Sequence, residues 1–376
     1  MQRVPGYPQT PAHKDAQRSL AVHRWGGSPG TCIVRGGPYG RFETRRTRSF
    51  VRRESVAFWI RAPGVGALRR AAVPMVGDGE VLVRALRSGV SRGTETLVFR
   101  GEVPPTEYAR MRAPFQEGDF PGPVKYGYLN VGVVEQGPPD LVGRVVFCLY
   151  PHQSRYVVPA SSVVTVPEDV PPERAVLAGT VETAVNALWD APPLVGDRVS
   201  VVGAGMVGCS VARVAAGIPG TRVTLVDLDP SRAGVAEALG VGFAAPDAAE
   251  PDQDLVVHTT ATSAGLQTSL DLSAPDTSVL DLSWYGDREV HLSLGSRFHS
   301  ARLGIRASQV GTVAPARAGR RTYLDRLQLA LHLLRDPAFD ALLTGTSTLA
   351  ALPGVMASLA DGDSRTLCHT VTYEED

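Results

Sequence analysis

The sequence predicts an α/β protein in which a compact β-rich domain precedes a doubly wound parallel sheet. Three observations carry that reading. Short apolar runs bounded by turn residues recur about every ten positions between residues 55 and 160. From about Pro172 the period changes, and buried-type strands alternate with helical stretches. Within the second region, the β-branched run Arg198-Val199-Ser200-Val201-Val202 breaks into Gly203-Ala204-Gly205-Met206-Val207-Gly208 and opens a helix.

Residues 1–53 lack hydrophobic periodicity and carry 11 of the 38 basic residues against only Asp15 and Glu43, which predicts a disordered basic extension. Arg-rich and acid-poor, it imitates a transit peptide or a nucleic-acid arm; the plainer alternative is a dispensable extension. Order is expected from Ser55-Val56-Ala57-Phe58-Trp59-Ile60, a strand whose expected partner is Glu80–Leu86, beyond the turn Gly77-Asp78-Gly79. Ser88–Glu95 reads as a polar loop, Pro121–Glu135 as a loop entering a strand, and Gly143–Cys148 and Arg155–Pro159 as further strands.

In the second region, Arg222–Val226, Asp254–His258, Ser278–Leu282 and Leu303–Ala307 are buried-strand candidates. Pro230–Leu239 and Ala264–Leu272 are the helices between them. A helix over Thr322–Leu334, another over Leu352–Leu359 and a strand over Cys368–Tyr373 complete the chain. The expected division is 54–179 for the first part of the β-rich domain, 180–312 for the parallel sheet and 313–376 for a return to the first domain.

Composition bounds the function. With 376 residues, 43% of them hydrophobic and 20% charged, the chain can bury a large core and hold two domains. The net charge of zero conceals a basic extension on a mildly acidic body, so the body offers no electrostatic case for nucleic acid. No apolar run approaches the roughly 18 residues that cross a bilayer. Cys32, Cys148, Cys209 and Cys368 are scattered without disulfide or metal spacing, which suits a reducing cytoplasm.

The motif at 203–208 points to a dinucleotide. Gly203 permits the tight turn, Gly205 lets backbone N–H groups approach a pyrophosphate, and Gly208 lets helix and strand pack closely. Met206 and Val207 would present their N–H groups at the helix start, where the dipole favours negative charge. Asp227 ends the next strand, 19 residues past Gly208, the spacing at which a carboxylate meets the adenosine ribose. The alternative is a core loop with a helix-capping Asp. A carboxylate there disfavours a 2′-phosphate, so the expected cofactor is NAD rather than NADP; Arg222 and Arg232 lie near enough to soften that preference, or are solvated surface charges.

The order of parts, with Gly89-Val90-Ser91, Gly127–Val134, Arg155–Pro159, Gly203–Gly208 with Asp227, and the strand ending at His258, resembles the medium-chain dehydrogenase/reductase superfamily. Within it, Val90–Glu95 with Gly127-Tyr128 is distantly similar to the branch of bacteriochlorophyllide hydroxyethyl dehydrogenase. The resemblance implies a GroES-like catalytic domain, a Rossmann domain, a small-molecule substrate between them and a homodimer joined through the Rossmann sheet edge. It also places zinc ligands where this chain has Ser91, Tyr128 and Leu129, with a third ligand region near Gly179–Glu182, and the structural-zinc cysteines are missing between Cys148 and Tyr156. Zinc needs at least three converging N, S or carboxylate ligands, so a zinc-free member is expected, the alternative being a site rebuilt from His152 and Glu182.

Without a Lewis acid, hydrogen-bond donors must manage the charge on the substrate oxygen. Tyr128 is the leading candidate catalytic residue, with Ser91 and Thr94 on the facing loop; the competing reading is a packed tyrosine beside ordinary turn hydroxyls. Lys125 either lowers the tyrosine's pKa or lies on the surface. His152 is a candidate proton relay or substrate contact, or caps a loop. Glu182 either faces the cleft or favours a helix N-terminus. His258 and Thr260 should lie near the nicotinamide or its ribose. The resemblance implies backbone contacts to nicotinamide from the segment of Trp284 and Tyr285, whose rings also suit a flat substrate. The expected function is a zinc-independent, NAD(H)-dependent secondary-alcohol dehydrogenase. Its rivals are an NADPH-dependent quinone or enone reductase, and a non-enzymatic nucleotide-sensing or RNA-associated protein.

Overall fold

A computed structural model describes residues 54–362 and 365–374. The expected disorder of residues 1–53 lies outside the described residues. The strand Glu54–Ala62 turns at Gly64, whose φ of +74° suits glycine, and runs back antiparallel as Val65–Ala72. That corrects its expected pairing with Glu80–Leu86. A period-two pattern identifies a strand and its buried face but carries no address for its neighbour.

The strand Glu80–Ser91 is instead the spine of a seven-stranded sheet. Asn130–Gln136 and Arg155–Pro159 pair with its first half, and Cys368–Thr372 with its second, setting Cys368 opposite Ser91. The C-terminal strand thus returns to the β-rich part and closes it. Ser88–Glu95 is not a loop: the strand runs to Ser91 and a helix, Arg92–Arg100, starts at the next residue. Its N-terminus is satisfied from within, because Glu95 Oε1 accepts the Ser91 backbone N–H at 2.8 Å.

The second part is the expected parallel sheet, six strands in the order 242–244, 222–226, 198–202, 255–258, 278–281, 304–307. All neighbours are parallel. Gly304–Ala307, expected to be buried, is the sheet's edge, with Ile305 41% exposed. The helix Ala178–Asp190 packs against both Met206–Ala216 and Tyr323–Leu333. One apolar core runs from Leu129 and Phe147 of the β-rich part through Val181 and Ala184 to Val199, Val201 and Cys209. That shared core fixes the first turn of the parallel sheet relative to the β-rich domain.

Candidate functional site

The Gly203–Gly208 turn has the geometry its sequence implies. Gly203 sits at φ +108°, and a Cβ on Gly208 would stand 1.9 Å from the Gly203 carbonyl oxygen, so backbone meets backbone where only glycine fits. Nothing lies within 4 Å of a Cβ built on Gly205, which leaves open space beside the start of the helix Met206–Ala216. Asp227 Oδ2 accepts the Ala204 N–H at 2.7 Å and Oδ1 accepts the Asp229 N–H at 2.9 Å. A carboxylate has about four acceptor positions, so two remain for ribose hydroxyls. The residues present therefore fit a dinucleotide.

Arg232 is a correction to the reading of a solvated surface charge. It is buried, its Nε lies 3.5 Å from Asp229 Oδ2, and its Nη1 donates to the carbonyl of Arg365 at 3.2 Å. It braces the turn that carries Asp227.

At the carboxyl ends of the next two strands, His258 is fully buried. Its Nδ1 lies 2.9 Å from Asp281 Oδ1 and its Nε2 2.6 Å from Thr260 Oγ1. Tyr285 donates to Asp281 Oδ2 at 2.9 Å and the Ser283 N–H to Oδ1 at 2.9 Å. Burial alone would raise the Asp281 pKa, but the hydrogen bonds from His258, Ser283 and Tyr285 outweigh it and hold the carboxyl below its usual range. The expected site pair His258 and Thr260 thus falls in one network at the crevice rim, with the His258 ring turned inward. Tyr285 belongs to that network, whereas Trp284 packs into the apolar cluster of the β-rich part with Leu97 and Tyr128. Gly286 makes this crossing: a Cβ there would meet the Glu102 carbonyl at 2.8 Å.

On the facing domain Ser91 and Thr94 act on the Tyr128 phenol and pull its pKa down, against larger opposing effects. Burial first, and the Glu95 charge second, push the Tyr128 phenol up to about 12. Tyr128 rests edge-on against Tyr126, ring centroids 6.0 Å apart. Behind them lies a pair that sequence reading missed. Glu95 Oε2 stands 2.9 Å from His152 Nε2, both side chains nearly inaccessible. His152 Nδ1 lies 2.7 Å from Ser88 Oγ, which is 2.7 Å from the Tyr373 hydroxyl. Glu95 and His152 are 57 positions apart, and no local signal joins them; the only hint was a carboxylate four residues after Ser91.

Two further expectations are corrected. Lys125 is neither at the surface nor beside Tyr128: it is buried, bonded to Glu117, to Gln153 Oε1 at 2.6 Å and to the Tyr150 hydroxyl at 3.2 Å. Burial lowers its pKa against the opposing bond from Glu117. Glu182 does not face the cleft either, because Arg326 takes it at 3.0 Å, and Arg326 also reaches Asn186 and the carbonyls of Val310 and Thr312. With His152 on Glu95 and Glu182 on Arg326, the two share no metal site. Among the described residues no three His, Cys, Asp or Glu side chains are grouped to hold a metal, and hydroxyls at Ser91 and Tyr128 do not replace the zinc ligands that the resemblance placed there. Ser91, Tyr128 and Leu129, where the resemblance places zinc ligands, supply no thiolate, imidazole or carboxylate. A recess of about 390 Å³ lined by Arg144, Thr165, Glu168 and Pro171 contains none of these site residues.

Fold and site together define a protein with a β-rich domain closed by its own C-terminal strand and a doubly wound parallel sheet bearing a Gly-x-Gly-x-x-Gly turn. This is the expected pairing of a GroES-like domain with a Rossmann domain, and it is the fold of solved dehydrogenase structures. The fold is similar to that of a short chain alcohol dehydrogenase of E. coli CFT073 complexed with NADH (TM-score 0.67, 17% identical, covering 85% of this chain and 99% of the other). It is equally similar to a candidate zinc-binding dehydrogenase of Sinorhizobium meliloti 1021 bound to NADP (TM-score 0.68, 15% identical, covering 85% and 99%). In sequence, part of the chain is similar to the L-threonine 3-dehydrogenase of Rhizobium rhizogenes, 30% identical over 125 residues, which are 33% of this chain. The match spans only 36% of that relative's length. No family model matches the chain. Among the described residues no helix is long and apolar enough to cross a membrane.

Proposed function

We propose that this protein is a zinc-independent oxidoreductase that transfers a hydride between NAD(H) and a secondary alcohol or its ketone, the small-molecule substrate lying between the two domains. The observation that carries the reading is Tyr128, a phenol at a position where the resemblance expects a metal ligand, close enough to Ser91, Thr94 and the buried Glu95 carboxylate for all three to act on its pKa. Bound nicotinamide supplies the hydride chemistry; the chain must orient substrate and handle one proton. A phenol with a pKa near 12 is protonated at neutral pH. It therefore donates to a ketone oxygen as that oxygen gains negative charge. In the opposite direction it takes the alcohol's proton while passing its own to Ser91 or Thr94.

Asp227 supports NAD(H) over NADP(H). A 2′-phosphate about 4 Å from its carboxylate costs up to about 4 kcal/mol at an effective dielectric of 20. The same reading carries a homodimer formed through the exposed edge strand Gly304–Ala307, which light scattering checks as a doubled mass.

The test follows reduced-nicotinamide absorbance with NAD+ and a panel of secondary alcohols, then with NADH or NADPH and ketones, quinones and enones. Alcohol-dependent NADH formation, lowered about 10²- to 10⁴-fold by Tyr128→Phe, is the expected result. Unchanged turnover in Tyr128→Phe removes its role. Consumption of NADPH by quinones or enones, with no alcohol oxidised, overturns both the cofactor and the reaction class.

A further inference from the structure

The dehydrogenase reading leaves a question of proton balance. When an alcohol is oxidised, the hydride departs to the cofactor and the hydroxyl proton stays with the protein. Tyr128 cannot retain it, since its phenol already holds a proton at neutral pH. Something behind Tyr128 must take one proton per turnover and return it to solvent.

We infer that Glu95 and His152 are that proton-holding pair, and that Ser88 and Tyr373 are its exit. The inference rests on the dehydrogenase reading for its use but on geometry for its existence. Glu95 occupies the first turn of the helix that begins at Arg92 and accepts the Ser91 backbone N–H at 2.8 Å, which ties it to the turn whose Ser91 and Thr94 act on the Tyr128 phenol. Its other oxygen lies 2.9 Å from His152, and the series His152, Ser88, Tyr373 continues in steps of 2.7 Å. Glu95, His152 and Ser88 are all nearly or wholly inaccessible to water, so a proton travels along side chains here rather than through solvent.

The titratable groups around Glu95 explain why His152 must be the partner. From the segment before the Asn130 strand come Tyr126 and Tyr128, and from the C-terminal strand and its end come Cys368 and Tyr373. All four are acids that are neutral at pH 7, and the negative charge on Glu95 adds to burial in keeping them so. Among the described residues, His152 is the basic side chain bonded to this carboxylate. The inferred route runs from the substrate hydroxyl to Tyr128, across the Ser91–Thr94 turn to the Glu95–His152 pair, and from the pair through Ser88 to Tyr373. At each transfer one O–H or N–H bond breaks and one forms, the N–H bonds being those of the His152 ring, and no further reactant is consumed. Glu95 and His152 act through Tyr128 and touch neither substrate nor cofactor in this scheme; they are positioning and relay residues.

The decisive measurement needs no substrate. The full chain is labelled with 15N-histidine, His152 is assigned by loss of its signals in His152→Gln, and its ring nitrogens are followed from pH 5 to 10. A proton-holding pair requires that the His152 ring change protonation state within that range, and that Glu95→Gln displace the transition by at least one pH unit. A ring that keeps one state throughout, or a transition unmoved by Glu95→Gln, overturns the inference whatever the enzyme's activity. Glu95→Asp, which keeps the carboxylate, is the companion if Glu95→Gln fails to fold, and must leave the transition present. With an oxidised alcohol in hand, single turnovers in weak buffer with an indicator dye add a second readout. Tyr373→Phe is expected to slow proton release several-fold while NADH formation keeps its rate; equal slowing of both, or of neither, overturns the exit route. Absence of hydride exchange with every alcohol and ketone would instead remove the dehydrogenase reading, which the histidine titration does not judge.

Discussion

Asp227 and Gly208 show how a single residue can be read before any fold is known. Each acts through the backbone within a few ångströms of itself, so its role is written in its spacing. Gly208→Ala forces a Cβ to within 1.9 Å of the Gly203 carbonyl oxygen, where neither atom belongs to a flexible side chain. The expected cost is about 2–4 kcal/mol of stability with weakened dinucleotide binding, read from urea denaturation and from NADH fluorescence titration. Asp227→Ser removes the carboxylate that opposes a 2′-phosphate; the ratio of NADPH to NADH affinity should rise by at least tenfold, and an unaltered ratio would leave the NAD preference without its cause. Lys125, Glu182 and Arg232 are the opposite case. Lys125 and Arg232 read as surface charges and Glu182 as a cleft or helix-terminus carboxylate, and all three are buried because partners supplied from elsewhere in the chain offset the cost of leaving water.

Elements were legible where their ends carry chemistry. The helix Tyr323–Leu333 starts at a reciprocal capping box, Thr322 with Asp325, and Thr322→Ala should cost about 1 kcal/mol in a thermal melt. Its larger contribution is Arg326, inaccessible to solvent and holding Glu182 across to the helix Ala178–Asp190. Arg326→Met leaves that carboxylate buried without its ion-pair partner, so a loss of about 3–5 kcal/mol is expected; a loss below 1 kcal/mol would mean that water or Asn186 replaces the guanidinium. Strand existence was read correctly more often than strand partnership. Val65–Ala72 and Leu343–Thr348 went unrecognised because each is a half-exposed edge segment with little apolar alternation. The small polar residues of Ser88–Glu95 resemble a loop in sequence and hide a strand end and a helix start that are buried by neighbours remote in sequence.

The whole molecule carries a titration signature of its own. Tyr126, Tyr128, Tyr150, Tyr156, Tyr285 and Tyr373 all have pKa values raised above the ordinary 10, burial being the leading cause in each. The folded state keeps these protons at pH values where the unfolded chain has lost them, so it binds more protons than the unfolded state above about pH 10, and stability must fall as pH rises. Each such phenol contributes about 1.4 kcal/mol per pH unit across that window. Denaturation midpoints should begin to fall near pH 8 to 9, where the unfolded chain's thiols ionise while buried Cys148, Cys209 and Cys368 stay protonated, and drop steeply between 10 and 12; a flat profile through pH 11 would mean that these groups ionise in place. The aromatic groups that shape the candidate site are thus the same groups that limit its alkaline range.

The sequence by itself determined the Gly-x-Gly-x-x-Gly turn with Asp227, the parallel sheet and the β-rich first domain, through periodicity, glycine where a side chain cannot fit, and residues close enough in the chain to share one turn. The candidacy of Tyr128, Ser91 and Thr94 came from the family resemblance, which places zinc ligands at Ser91 and Tyr128. Only the tertiary structure decided the pairing of Glu95 with His152, the inward turn of His258 onto Asp281, and the capture of Glu182 by Arg326. The physical reason is that a buried charge selects its partner by distance in space. Folding brings together residues 57 and 144 positions apart with no pattern to announce them.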